Sequence, residues 1–290
     1  MDARLNRENG AVLVVVLWAI AVLTIALTGV LSSLSAHATL SRSLQRSLVA
    51  EMSARAGIEI AAGNLLTLNP ERRWIGDGRS YSLKLGESQL QVRVWDVSAL
   101  LDVNRADIAL MTRVFRRFTP NAAAAEAAAM RVDKARGGVQ WASLDVNAAV
   151  GFSPSTSRKV EPRRPFHSEG ELTAILGYDP ELLRGVLRTV TIYGRTGGLD
   201  PALAPRELLE SVPDISSQEV NVILANRKNG RIASDDARSI VAKFATVFDT
   251  IPTDIYRIEV TGEGHILTTT IILDRDGGAP FHILSWKQQA

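Results

Sequence analysis

Residues 11–31 read AVLVVVLWAIAVLTIALTGVL, and this stretch decides how the N-terminal part of the chain is organised. It contains no charged side chain, and the uncharged run around it extends from Asn9 to Ser41. A helix of these 21 residues, rising 1.5 Å per residue, crosses the roughly 30 Å of a bilayer's hydrocarbon core. Arg4 and Arg7 precede it, which favours a cytoplasmic N-terminus. The sequence therefore predicts a helix embedded in a membrane.

Three kinds of N-terminal segment are compatible with this pattern. A secretory signal peptide fits the basic start and an A-x-A site at Ala36–Ala38, but its apolar region should be only about 7–15 residues long. A plain single-pass anchor is the second kind. The third is a longer helix, because apolar residues continue from Leu31 to Leu66 at spacings of three and four, and no proline precedes Pro70. This third pattern predicts one continuous helix that ends near Asn69.

Two separated groups of strands follow the helix. The first is a predicted hairpin around Gly86–Ser88, formed by Ser80–Leu85 and Leu90–Trp95. The second is a meander near the C-terminus, formed by Tyr256–Val260, Ile266–Leu273 and Phe281–Trp286. The two groups are most simply one antiparallel sheet that packs on the long helix.

A helical block of roughly residues 101–250 separates the two groups of strands. Capping residues mark helix starts at Asn121, Ser168 and Asp179, and Glu171 completes a capping-box spacing with Ser168. The other predicted helices are Ala106–Phe118, Pro205–Val212, Ser216–Lys228 and Ser234–Phe248. The predicted fold class is therefore α+β, with a long N-terminal helix on an antiparallel sheet and a large all-α insertion.

The leader and the apolar run together resemble the start of type IV pilins and pseudopilins. The polar leader ends in Gly10, and the apolar segment begins at once with Ala11. In that class a prepilin peptidase cuts after the glycine. The resemblance therefore implies cleavage between Gly10 and Ala11, and methylation of the new amino terminus.

The fifth residue after this cleavage site is Val15, where subunits of the class usually carry a glutamate. A carboxylate in lipid is tolerable only when paired, and its usual partner is the terminal amine of the neighbour ahead in the filament. A subunit with Val15 cannot make that pair, which suits the first position. Among type II secretion pseudopilins, the K-type minor subunit typically lacks the glutamate. Chance loss, or an anchor that never had the glutamate, is the alternative explanation.

Segments beyond the first helix also resemble the K-type family. They are Asp96–Asn104, Pro165–Leu172 with the following Leu176–Tyr178, and Val190–Tyr193. The resemblance covers most of the chain and implies a pilin-like fold with SAM-like or helix-hairpin-helix modules in the insertion. The implied organisation is a leader (1–10), a transmembrane segment and stem helix (11–68), a sheet domain (69–100 and 251–290), a first SAM-like module (101–198) and a second, helix-hairpin-helix-like module (199–250).

Several kinds of chemistry are excluded by the residues themselves. The chain has no cysteine, which excludes disulfides and thiolate sites, and a net charge of +2 argues against nucleic-acid binding by bulk electrostatics. Leu208–Ile215 is close to a helix-hairpin-helix, but Asp214 stands where DNA-binding versions have a glycine and would repel a phosphate. No catalytic or phosphate-binding motif stands in the chain, and the four histidines lack metal spacing. We therefore predict neither enzymatic activity nor nucleic-acid binding.

Calcium is the one cofactor that the resemblance implies. K-type subunits bind it in the helical domain through carboxylate, amide and carbonyl oxygens, which are hard ligands. The acidic cluster expected there is reduced in this chain to Asp133, Asp145 and Asn147. Asp274–Gly277 resembles the opening of a calcium loop but lacks the closing glutamate, so we predict a hairpin turn there.

The resemblance implies a minor pseudopilin of a bacterial type II secretion system. Its helix would lie in the inner membrane and its globular part in the periplasm. Its partners would be the I-type and J-type minor subunits, the major pseudopilin and the inner-membrane platform, with the prepilin peptidase as processing enzyme. The alternative is a single-pass, membrane-anchored periplasmic adaptor that uses its helix-hairpin-helix-like modules for protein contacts.

Overall fold

A computed structural model of the protein describes residues 5–137, 164–177, 180–262 and 265–289. The chain divides into two compact units, Met1–Arg55 and Ala56–Ala290. The helices are α1 (Leu5–Leu66), α2 (Ile108–Arg116), α3 (Ala122–Ala135), α4 (Glu169–Leu176), α5 (Pro180–Thr189), α6 (Arg206–Leu209), α7 (Ser217–Ala225) and α8 (Asp235–Lys243). The strands are β1 (Asp77–Leu85), β2 (Ser88–Asp96), β3 (Leu101–Asp102), β4 (Val190–Thr191), β5 (Arg227–Lys228), β6 (Arg231–Ile232), β7 (Ile255–Gly262), β8 (His265–Leu273) and β9 (Phe281–Gln289).

Helix α1 confirms the prediction of one continuous N-terminal helix. It begins at Leu5, six residues before the predicted Ala11, and ends at Leu66, ahead of Pro70. In the first unit its apolar side chains between Leu13 and Leu27 are exposed. Thr24 in this stretch and Thr28 directly after it donate their hydroxyl groups to carbonyls of the same helix, so both hydroxyls are paired. The residues that the structure describes contain no helix long and apolar enough to cross a membrane.

The second unit contains the predicted antiparallel sheet, whose strand order is β1-β2-β7-β8-β9. Strands β2 and β7 are neighbours, with Val92 opposite Val260 and Val94 opposite Ile258. The hairpin and the meander are therefore halves of one sheet, as predicted. The segment between β2 and β7 leaves the sheet at one strand end and returns at the adjacent one.

The last turns of α1 pack closely on this sheet within the second unit. Ile58, Ala61, Ala62 and Leu65 are buried, as expected for the apolar stripe of a helix facing a core. A Cβ atom at Gly57 would lie 3.2 Å from Val260 Cγ1 and 3.4 Å from Leu90 Cδ1. Glycine at this position therefore lets the helix backbone approach the sheet.

The insertion between β2 and β7 has a hydrophobic core of its own. Side chains from α2 to α7 fill it, and the largest that are fully buried include Met111, Phe115, Leu172, Leu208, Leu209 and Ile223. Two of the three predicted caps are present, at Asn121 and Ser168, and the third, Asp179, lies outside the described residues. Asn121 Oδ1 accepts the Ala124 N–H at 2.8 Å, Ser168 Oγ accepts the Glu171 N–H at 3.3 Å, and a complete capping box joins Ser216 with Glu219.

The prediction that this block is helical throughout is wrong at two places. Strands β3 and β4 form a short parallel pair, and β5 and β6 form a hairpin. The predicted helix Ser216–Lys228 ends at Ala225, because the chain turns at Asn229 and Gly230, both of which have positive φ. Asn-Gly is the preferred pair for such a two-residue hairpin turn.

Three other helices of the insertion, α2, α6 and α8, are shorter than predicted. Helix α2 starts at Ile108 rather than Ala106, because the side chain of Asp107 caps it through the Ala109 N–H. The helix predicted at Pro205–Val212 is a single turn, α6, and the one predicted at Ser234–Phe248 ends at Lys243.

The contact between α1 and the sheet can be tested with two glycines of the same helix. A leucine at Gly57 must displace Val260 and Leu90, so we expect Gly57→Leu to lower the free energy of unfolding by about 1–3 kcal/mol. Nothing lies within 4 Å of a Cβ atom at Gly63, where Gly63→Leu should stabilise the helix by about 0.5–1 kcal/mol. Urea unfolding of the purified full-length protein measures both effects. Equal changes in the free energy of unfolding for the two variants would contradict the close packing of α1 on the sheet at Gly57.

Candidate functional site

Asp96 ties together the two chain segments that connect the sheet to the insertion. It ends β2, and its partner in the ladder is Tyr256, near the start of β7. Asp96 Oδ1 accepts hydrogen bonds from the Ser98 N–H at 2.9 Å, the Ser98 hydroxyl at 2.8 Å and the Thr253 hydroxyl at 2.6 Å. Ser98 lies on the outgoing segment and Thr253 on the returning one. Burial raises the pKa of Asp96, and these three donors oppose that rise.

Arg257 joins the insertion to the sheet on its other face. It lies in β7 opposite Trp95, and its side chain is 7% exposed. Its guanidinium donates to the carbonyl oxygens of Leu187 and Val190, both at 2.8 Å, and to Glu169 Oε1 at 3.0 Å. Burial lowers the pKa of Arg257, and the Glu169 carboxylate opposes this.

Glu169 is shared between two cations of the sheet. Its second carboxylate oxygen accepts from the Lys287 ammonium of β9, and its side chain is 10% exposed. Glu169 is the first residue of α4, where the positive end of the helix dipole also favours a carboxylate. The sheet therefore holds α4, α5 and β4 through one nearly buried charge cluster (Arg257, Glu169 and Lys287), which we call the charge clamp.

A cleft of about 410 Å³ opens on the insertion beside Asp102. Asp102 ends β3 and is 1% exposed. Its Oδ1 accepts the Asn104 N–H at 2.9 Å, but its buried Oδ2 has no hydrogen-bond partner among the described residues, and Arg105 Nε lies 3.5 Å from it. Burial raises the pKa of Asp102 to about 7. Buried polar groups in proteins nearly always have a hydrogen-bond partner, so this carboxyl oxygen is unusual.

Asn104 and Arg136 hold the rest of the cleft wall. The Asn104 amide donates to the carbonyls of Phe166 and Ile192, both at 3.1 Å, and its oxygen accepts the Phe166 N–H at 2.7 Å. Arg136 is buried and donates to the Val103 carbonyl at 2.8 Å. The cleft is therefore framed by side chains that are fixed to the main chain.

The predicted processing residues lie in α1. Gly10 and Ala11 are within the helix, and Val15 is 65% exposed. Cleavage at Gly10 stays a prediction.

The predicted calcium ligands are only partly described. Asp145 and Asn147 lie outside the described residues. Asp133 Oδ1 accepts from Arg136 Nη2 at 2.5 Å and from Arg136 Nε at 2.9 Å, and an oxygen engaged by a guanidinium does not suit a calcium ligand. The described part of the chain holds no group of three potential metal-ligating side chains. Calcium at these residues stays a prediction, and we derive nothing from it.

Two turn residues behave as the sequence indicates. Asp214, which follows Pro213 in the helix-hairpin-helix-like segment, has a φ of 60°, a conformation that favours glycine. Asp274 Oδ1 accepts the N–H groups of Asp276 at 3.2 Å and Gly277 at 2.8 Å, as in the predicted hairpin turn between β8 and β9.

Sequence reasoning did not identify Asp102, Asp96 or Arg257 as functional candidates. A signal existed for Asp102, because a carboxylate directly after the apolar run Ala99–Leu101 must be either buried or at a strand end. Arg257 is a charged residue in an alternating strand, and this pattern contains no signal for its burial, which only the structure shows.

Comparisons with known proteins agree with this architecture. No protein-family model matches the chain, and no curated protein matches it in sequence. The fold is shared with a chain of a secretion-system complex. That chain belongs to the crystal structure of the GspK-GspI-GspJ complex from the enterotoxigenic Escherichia coli Type 2 Secretion System, with a TM-score of 0.52 and 14% sequence identity. The match covers 86% of this protein and 99% of that chain. The predicted resemblance is thus confirmed at the level of the fold.

Asp102 should make the stability of the protein depend on pH. Its pKa is about 7 when folded and near 3.8 when unfolded, so the folded state binds the proton more tightly, and stability is lost as the pH rises through about 7. Asp102→Asn cannot ionise. We expect this variant to gain stability relative to the wild type between about pH 5 and about pH 8, measured by urea unfolding. Asp200, whose pKa burial raises to about 6, is present in both proteins and cancels. A pH-independent difference would contradict the prediction.

The charge clamp should be far more important to stability than an exposed ion pair. Arg257→Ala leaves Glu169 and two carbonyl groups without their buried partner, so we expect a loss of about 3–5 kcal/mol in the free energy of unfolding. Arg238→Ala removes an exposed pair with Asp235 in α8 and should change it by less than about 0.5 kcal/mol. Chemical unfolding of both variants measures the difference. A small effect at Arg257 would show that the clamp does not hold the insertion.

Proposed function

We propose that the protein is a K-type minor pseudopilin of a type II secretion system, located at the tip of the periplasmic pseudopilus. The observation that carries this proposal is the shared fold, which extends over 99% of a chain from the GspK-GspI-GspJ complex. That structure contains three different components, so a protein with this fold has I-type and J-type subunits as its expected partners.

The N-terminal sequence supports the same function. The leader ending in Gly10, the uncharged run from Ala11 and the continuous helix α1 are the parts that a filament subunit needs for insertion and assembly. Val15 leaves no carboxylate to pair with a subunit ahead, which suits the leading position. In this proposal residues 11–31 lie in the inner membrane until assembly, and the part from β1 onward is periplasmic.

In the proposed role, the insertion is the part that caps the tip of the pseudopilus. Asp96 and the charge clamp fix it to the sheet at both of its connections and across one face. A bulky head fixed in this way would block the addition of a further subunit above it. In this proposal its helices correspond to SAM-like and helix-hairpin-helix-like modules, which serve as protein-contact surfaces. No catalytic step is assigned to it.

Processing at Gly10 tests the proposal. A prepilin peptidase should cut the wild-type protein in its native host, so N-terminal sequencing and intact mass should show a start at Ala11. Gly10→Ala should retain the leader and fail to restore protein export in a deletion strain. Gly29→Ala, a matched change in the same apolar stretch, should be processed normally.

Three outcomes would contradict this function. A mature start at Met1 would indicate a plain membrane-anchored adaptor, and a start at Thr39 would indicate a signal peptide. Normal processing and export with Gly10→Ala would remove the basis for the pseudopilin assignment.

A further inference from the structure

We propose that the cleft beside Asp102 receives an extended peptide segment of a neighbouring subunit. Asp102 Oδ2 would accept a main-chain N–H of that segment, and the Arg105 guanidinium would donate to an adjacent carbonyl. The inference rests on the proposed function, because it places the neighbour within the same tip complex.

The unpaired oxygen of Asp102 is the first reason. A buried polar atom without a partner destabilises the folded protein, so a native site of this kind calls for a group that satisfies it. Oδ2 is such an atom, and a Cβ atom at Gly194 would lie 2.9 Å from it. Only glycine at this position leaves the carboxyl group room beside the cleft. The nearest cation, Arg105, is too far away at 3.5 Å for a hydrogen bond.

The pairing of an acceptor with a donor is the second reason. Arg105 and Asp102 both line the cleft, and the Arg105 side chain is 57% exposed. In this proposal the exposed Arg105 side chain moves outward when the segment binds, so that Oδ2 meets the segment and the guanidinium stays at the rim. The other charge in the wall, Arg136, is neutralised by Asp133. A neutral group that both donates and accepts fits this pair, and a peptide unit does so in each residue.

The shape and lining of the cleft are the third reason. Its volume of about 410 Å³ lies in the range of roughly 300–1,000 Å³ that is typical of ligand sites. Phe166, Ile192 and Tyr193 line it and offer apolar contact for side chains of the segment. Asn104 already binds the main chain at Phe166 and Ile192. The cleft wall is thus fixed in place, and its apolar side chains lie beside the Asp102–Arg105 pair, as a peptide segment with apolar side chains requires.

Site-specific photo-cross-linking in the assembled complex tests this inference. The full-length protein would carry p-benzoylphenylalanine in place of His167, which is exposed and lines the cleft. The complex would be purified with the I-type and J-type subunits of the same host, and cross-linked peptides would be identified by mass spectrometry. The control position is Arg238 in α8, which is also exposed and does not line the cleft.

We expect cross-links from position 167 to fall in one contiguous segment of one partner, and position 238 not to reach that segment. Asp102→Asn should lower the yield of these cross-links about tenfold, or roughly 1.4 kcal/mol, because it replaces the charged acceptor by a neutral amide and so weakens the hydrogen bond. Arg105→Ala, a change at an exposed side chain, should also lower the yield and provides a second variant if Asp102→Asn folds poorly.

A complex that forms without a cross-link from position 167 would overturn the inference and leave the proposed function intact. Cross-links confined to the same chain would do the same, as would yields unchanged in both variants. If no complex forms with the two partners, both the inference and the proposed function fail.

Discussion

The position of the helical insertion depends on a single arginine that lies almost completely inside the protein. Arg257 brings a positive charge from the middle of the sheet to two carbonyl groups and one carboxylate of the insertion. A buried charge is costly unless each of its donors is paired, so the insertion can occupy only the position that supplies these acceptors. Hydrophobic contact alone does not impose this, since it is not directional. The charge clamp therefore fixes one orientation of the insertion, and the two apolar cores supply most of the stability.

The two connections between the sheet and the insertion are also fixed by a buried polar group whose hydrogen bonds are directional. Asp96 accepts three hydrogen bonds at the point where the chain leaves the sheet and returns to it. Because β2 and β7 are hydrogen-bonded neighbours, an insertion of about 150 residues between them leaves the hydrogen bonds of the sheet intact. A filament subunit can in this way carry a large head on an unchanged sheet. In the proposed function, α1 serves assembly and the insertion serves contacts with partner subunits.

Much of this architecture can be predicted from the sequence, because its signals are local. The continuous helix follows from apolar spacing without proline, the five strands of the sheet from alternation, and two helix starts from their capping residues, Asn121 and Ser168. The apolar pattern of α7 extends the predicted helix to Lys228 and so over β5, although Asn229–Gly230 is a strong signal for the turn of the β5–β6 hairpin. Thr253 is 157 residues from Asp96, and Glu169 is 88 from Arg257, so no local pattern predicts either contact. The unpaired oxygen of Asp102 also depends on Gly194, which only the folded chain brings near.

The most direct measurement of the central claim is the composition of the complex that the protein forms. The tagged full-length protein would be co-expressed with the I-type and J-type subunits of its own host, purified through the tag and examined by native mass spectrometry. The account predicts one complex that contains one copy of each subunit. Recovery of the protein alone, from a preparation in which both partners are folded and soluble, would contradict it.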